Sequence, residues 1–252
     1  PGSAAAQWRA SVAALQLQVQ DAARPGTWAL RLEEPFSVSA KSSAANTTME
    51  ASAGQARLSG PVPGAVALRW QPLRLVQSAQ GALQLQSQGE LTGLPMAWVD
   101  AFTPPGEKST LEAMGLAGDL LFNARWQVNA GDTLRASAVL ERASGEMRLL
   151  MGDTATVTTV RSSGSQPKPT IATTSSTLPA NGLSAGVRQA RLQLSAEGSQ
   201  VQAKLLWDSE RAGHVEAHAD STLTRQGSGW SWSPDTPLNA QLRAHLPDMG
   251  LW

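Results

Sequence analysis

Apolar and polar residues alternate along most of this chain. From Leu120, Phe122, Ala124, Trp126 and Val128 are separated by Asn123, Arg125 and Gln127, and after Gly131-Asp132 the pattern resumes at Leu134, Ala136, Ala138 and Leu140. The same period of two sets Leu15, Leu17 and Val19 against glutamines, and Val66, Leu68 and Trp70 against Ala67, Arg69 and Gln71. It returns at Leu83 and Leu85, at Leu192 and Leu194, and at Val201, Ala203, Leu205 and Trp207. Successive side chains of a strand point to opposite faces, so each segment predicts a strand with one apolar and one wet face. One-sided strands belong to antiparallel sheets; a doubly wound parallel sheet needs continuous apolar runs and long helices, which this sequence lacks. Turn residues punctuate at Pro25-Gly26, Gly60–Gly64, Gly131-Asp132, Ser144-Gly145, Glu197-Gly198 and Gly227–Gly229. The expected fold class is all-β, a long and mainly antiparallel sheet.

Two stretches break the alternation. Leu94–Phe102 and Ser109–Gly115, separated by Pro104-Pro105-Gly106, predict one or two short helices, the second opened by a capping box of Ser109 and Glu112. Near the end, Leu238, Leu242 and Leu246 fit both periods; a strand ending at Pro247, then a helical turn, is favoured. Residues 161–181 are rich in Ser, Thr and Pro, the composition of a flexible insert. The chain thus divides into sheet segments 4–160 and 182–252, whose shared pattern suggests one interrupted sheet. Pro1-Gly2-Ser3 reads as a cloning or cleavage scar, and the whole as a piece of something longer.

Composition narrows the function. Twenty basic and 20 acidic residues cancel, which disfavours nucleic acid as a partner. With no cysteine there is no disulfide framework and no thiolate metal site. Aromatic usage is lopsided, with 9 Trp, 3 Phe and no Tyr. No apolar run approaches the ~20 residues that span a bilayer as a helix.

Candidate chemistry is sparse. His214 and His218 in HVEAH resemble a zinc-helix motif, but Glu216 is at the wrong offset and the neighbours alternate as a strand. On a strand the two histidines lie about 13 Å apart, too far to share an ion. His245 falls in a polar set with Gln241 and Arg243. Glu33 and Glu34 are adjacent, and adjacent strand residues face opposite ways. Asn46-Thr47-Thr48 matches a short glycosylation pattern. No nucleophile elbow, Walker loop or dinucleotide fingerprint is present. No catalytic residue, metal site or cofactor is expected. Trp70, Trp126 and Trp207 sit on apolar strand faces, and Trp230 and Trp232 project together from a Gly-flanked strand, as core, groove lining or a sugar-stacking platform.

Three stretches together carry a resemblance: GELTGLPMAWVDAF (residues 89–102), LAGDLLFNARWQVNAGD (residues 116–132) and GWSWSPDTPLNAQLRAHLPDMGLW (residues 229–252). Their Gly, Leu, Pro and Trp spacing resembles the TamB family, the inner-membrane subunit of the translocation and assembly module of Gram-negative bacteria, and more broadly AsmA-like bridge proteins. The resemblance covers most of the chain outside the Ser/Thr/Pro-rich insert. It implies a sheet folded lengthwise into an open trough, apolar inside and polar outside. It implies a place in the periplasm, an N-terminal membrane helix outside this sequence, and an outer-membrane barrel partner met through other regions. It implies a part in moving phospholipid to the outer membrane or in assembling outer-membrane proteins.

The apolar strand positions are the expected groove lining: Leu15, Leu17, Val19, Val66, Leu68, Trp70, Leu83, Leu85, Leu120, Phe122, Ala124, Trp126, Val128, Leu134, Ala136, Ala138, Leu140, Leu192, Leu194, Val201, Ala203, Leu205 and Trp207. Phospholipid tails or nascent outer-membrane β-strands are the expected occupants, since either needs apolar area rather than nucleophiles. A filled sandwich requires the same alternation. The rival readings are a secreted β-sandwich or β-helix module that binds glycan through exposed Trp, and, ranked last, an enzyme.

Overall fold

The computed structural model describes residues 6–20, 26–104, 106–150, 182–227, 229–233 and 235–246. Residues 1–3, expected as a scar, the expected insert 161–181 and the turn expected after Pro247 lie outside them. Strands make up 67% of the described residues, and the main sheet is not closed into a barrel. Fifteen of the described strands form that sheet.

The chain is a meander of long antiparallel strands, several of them broken once along their length. β1 (Ala6–Val12) leads into β2 (Gln16–Gln20), β3 (Thr27–Leu32) into β4 (Phe36–Ser42), β5 (Asn46–Ala51) into β6 (Gly54–Ser59), and β7 (Ala65–Trp70) into β8 (Leu73–Ser78). Because the strands run antiparallel, the first half of each pairs with the second half of its neighbour, and the pieces on the two sides of the break form separate ribbons. β1, β4, β5 and β8 form one ribbon; β2, β3, β6 and β7 form another. Both converge on the 13-residue β9 (Leu83–Pro95), whose start pairs with β8 and whose second half pairs with β7. The breaks therefore line up as a crease across four strands. Pro35 and Pro72 fall in it, and a proline has no N–H to continue a ladder.

Beyond β9 the meander continues through β11 (Leu121–Ala130), β12 (Leu134–Ser144), β15 (Val187–Glu197), β16 (Gln200–Ser209), β17 (Gly213–Thr222) and β20 (Asn239–His245). β12 pairs with β15 from Arg135↔Glu197 to Glu141↔Arg191, so residues on both sides of 151–181 belong to one sheet. A second crease separates this sheet from a three-stranded one made of β10 (Leu116–Gly118), β13 (Met147–Leu149) and β14 (Leu183–Ser184). Gly145 stands in it with φ 83°, and a Cβ there would collide with the Asp119 carbonyl. β18 (Thr224–Gln226) and β19 (Gly229–Ser231) form a side hairpin before β20.

The predicted helices are present. A 3-10 helix spans Met96–Phe102, and α1 spans Thr110–Ala113. The Ser109 hydroxyl accepts from the Glu112 N–H at 3.2 Å, as its capping role requires. Asp100 Oδ1 accepts from Leu111 N–H at 3.0 Å and ties the two helices together. The tail from Asn239 to His245 is a strand, and HVEAH lies within β17. Glu33 and Glu34 sit in the first crease; Glu33 pairs with Arg57 at 2.9 Å.

Both creases fold towards the apolar face. At the first, the rings of Phe36 and Trp70 meet edge to face at 5.7 Å. At the second, Leu120, Met147, Ala185, Val187 and Ala190 form a buried cluster, with Phe122 and Trp207 against it. A carboxylate pins this fold. Glu146 accepts from the N–H groups of Met147 at 2.9 Å, Gly186 at 3.2 Å and Val187 at 3.4 Å. Desolvation acts to raise its pKa, but these bonds and one from Ser184 outweigh it and hold the carboxyl below its usual 4.5. A depressed carboxylate stabilises the fold above its unfolded-state pKa, and that contribution disappears as pH falls through the folded value. Glu146→Gln should therefore cost about 1 kcal/mol at neutral pH, and the gap to the wild type should close in urea titrations below the ordinary carboxylate range. A gap that stays constant with pH would remove the charge from the explanation.

Candidate functional site

The candidate site is the apolar face of the main sheet. Register aligns its side chains into ladders across the strands. One ladder runs Leu32, Ala56, Leu68, Leu91, Ala124, Leu140, Leu192, Leu205, Ala217 and Leu242, one residue from each of ten strands. At about 4.8 Å between strands it is roughly 43 Å long. A second ladder runs Gly54, Trp70, Gly89, Trp126, Ala138, Leu194, Ala203, Ala219 and Ala240.

Glycine and tryptophan alternate at the start of that second ladder for a steric reason. The Trp70 ring occupies the space over Gly54, and the Trp126 ring the space over Gly89; a Cβ on either glycine would strike the indole. Each indole N–H has an acceptor beyond its own strand: Trp70 donates to Ser52 O and Trp126 to Ser87 Oγ, both at 3.1 Å. The Trp70 and Trp126 rings thus lie along the sheet, over a glycine of the neighbouring strand.

Covering of the face is uneven. The 3-10 helix closes one part, where Trp98 meets Trp28 edge to face at 5.0 Å and Phe102 lies 6.0 Å from Trp28. The three-stranded sheet closes another through the Leu120 cluster. From β15 to β20 large apolar side chains meet solvent: Leu194 is 41% exposed, Leu205 39% and Leu242 68%.

The expected lining residues separate accordingly. Leu120 and Val66 are fully buried and Leu134 nearly so; these three are packing residues rather than accessible lining. Leu120 also precedes β11 instead of lying in it, and Leu15 falls between β1 and β2. Leu17 and Val19 are exposed on an outermost strand. Leu68, Trp70, Leu83, Leu85, Phe122, Ala124, Trp126, Val128, Ala136, Ala138, Leu140, Leu192, Val201, Ala203 and Trp207 are half-buried, and Leu194 and Leu205 exposed. Leu32, Ala56, Leu91, Ala217 and Leu242 complete the ladder without having been expected. Leu30 and Leu32 of β3 alternate with Ala29 and Arg31, a signal that could have found Leu32, but Ala217 sits among histidines and Leu242 fitted two periods.

The opposite face carries the charge. Arg69 meets Glu90 at 3.6 Å and Arg125 meets Glu141 at 3.0 Å. His214 lies 3.2 Å from Glu216 and His218 2.8 Å from Asp220. Shallow concavities here include one of about 810 Å³ bounded by Gln127, Arg135, Glu197 and Gln202. Among the described residues no His, Asp and Glu group is arranged to hold a metal ion. Of the Trp pair, Trp232 is 56% exposed and donates to Ser221 Oγ at 3.2 Å, whereas Trp230 is half-buried. No described helix is long and apolar enough to cross a membrane. No family model, curated protein or solved structure matches this chain.

Proposed function

We propose that this chain is a segment of a non-enzymatic scaffold whose apolar face holds phospholipid acyl chains, or shelters nascent outer-membrane strands, between the membranes of a Gram-negative envelope. The observation that carries this reading is the ladder from Leu32 to Leu242, continuous over ten strands, with Leu205 and Leu242 open to solvent at its far end. A filled sandwich would lay a second sheet over that part. Each CH₂ taken from water contributes about 0.8 kcal/mol, so the face needs no polar group to retain a tail. Residence in the periplasm and work with an outer-membrane barrel through other regions follow from the resemblance to the TamB family.

Ala203→Arg puts a cation into the second ladder beside exposed Leu194. Arginine there should abolish phospholipid co-purification and uptake of a fluorescent acyl probe, while the circular dichroism of the β-sheet stays unchanged. A folded variant that retains lipid at the wild-type level would sink the lipid reading. A wild type that takes up no lipid but slows aggregation of an unfolded outer-membrane protein would favour strand sheltering.

The exposure of Trp232 favours a second reading, a glycan-binding module. That reading requires Trp232→Ala to abolish sugar binding with lipid uptake intact.

A further inference from the structure

We infer a binding site for a ligand carrying two or more phosphate groups on the polar face of β15, β16, β17 and β20. This site lies on the side of the sheet away from the apolar ladders and does not depend on the lipid reading. Four arginines elsewhere on the polar face are neutralised: Arg57, Arg69, Arg74 and Arg125 each have a carboxylate within 4.0 Å, whereas Arg9, Arg31 and Arg135 stand singly and apart. Arg191, Lys204 and Arg243 have no carboxylate that close among the described residues, and all three border one concavity of about 500 Å³.

Register explains the surplus. Glu141 is the cross-strand neighbour of Arg191, but it is engaged by Arg125 at 3.0 Å. The residue facing Arg191 on its other side is Leu206, which offers no charge. The Arg191 Nε is sealed from solvent without a hydrogen-bond partner. Lys204 faces His218, whose ring is held 2.8 Å from Asp220. Arg243 faces Glu216, and Glu216 lies 3.2 Å from His214. Three cations therefore surround the concavity against one carboxylate that has another partner.

The spacing selects the ligand. Arg191 and Arg243 are three strands apart, about 14 Å at the backbone, with Lys204 between them. Long side chains from both ends can converge on a compact polyanion, whereas a single carboxylate would reach one cation only. Guanidinium groups bind phosphate through two parallel N–H bonds, and Gln193 and Gln241 at the same concavity supply uncharged donors.

Calorimetric titration of the whole chain with sodium pyrophosphate at low salt tests this. Saturable binding is expected, weakened about tenfold in Arg191→Gln and in Arg243→Gln, since bonds to charged groups are each worth about one such factor. Arg69→Gln, which removes a paired arginine, should leave binding unchanged. Lys204→Gln, at an exposed strand position, serves if an arginine variant fails to fold. Vesicles of phosphatidylglycerol, compared with phosphatidylcholine, distinguish the source: charge-selective vesicle binding lost in the same variants, without pyrophosphate binding, would assign the phosphates to a lipid surface. Absence of both, or equal weakening by Arg69→Gln, would overturn the site.

Discussion

Leu120→Ala should destabilise the protein by about 3 kcal/mol, near the middle of the range for buried leucines. Leu120 has no exposed surface and stands at the centre of the cluster that closes the second crease, in contact with residues from both sheets. Truncation leaves a cavity between two layers that this cluster, the Glu146 carboxylate and the Arg211–Ser184 hydrogen bond hold together. The midpoint of urea unfolding should fall, and amide exchange should accelerate first in β10, β13 and β14. A loss below 1 kcal/mol would mean that the three-stranded sheet stays folded for reasons other than this core.

Gly89→Val sets two rules against each other. Valine is favoured in strands, and glycine in a strand interior is costly, so propensity alone predicts a gain. Packing predicts the reverse. A Cβ at position 89 would meet both the Trp126 ring and the Arg69 carbonyl, and the ring has to leave its place on the sheet. Overpacking of this kind costs about 2–3 kcal/mol. Thermal unfolding should show the loss, and Trp126 fluorescence should shift as the indole moves. In a double-mutant cycle, Trp126→Ala should recover part of the loss but not all, because the backbone contact remains. A Gly89→Val protein as stable as the wild type would show that Trp126 does not need the glycine beneath it.

The two glycines under tryptophans illustrate how the site escaped sequence reading. Alternation marked Trp70 and Trp126 as apolar-face residues, but nothing in a single strand reveals which residue stands across from it. Gly54 belongs to β6 and Gly89 to β9, and only the register brings each under an indole on the next strand. The same holds for Arg191: its lack of a partner depends on Arg125 having engaged Glu141 from a neighbouring strand.

What the sequence determined by itself is local. A period of two specifies strands and their faces, because side-chain direction is fixed by the backbone of each strand alone. The loss of that period at Leu94–Phe102 and Ser109–Gly115 marked both helices, and the Ser109 cap acts within its own turn. Tertiary structure decided the rest. Whether an apolar residue lines an open face or fills a core depends on what lies above it: Leu120 and Leu205 carry the same pattern, yet one is sealed by the folded-over sheet and the other meets water. The two creases make that difference, and they arise where glycine, proline and cross-strand partners from distant parts of the chain coincide.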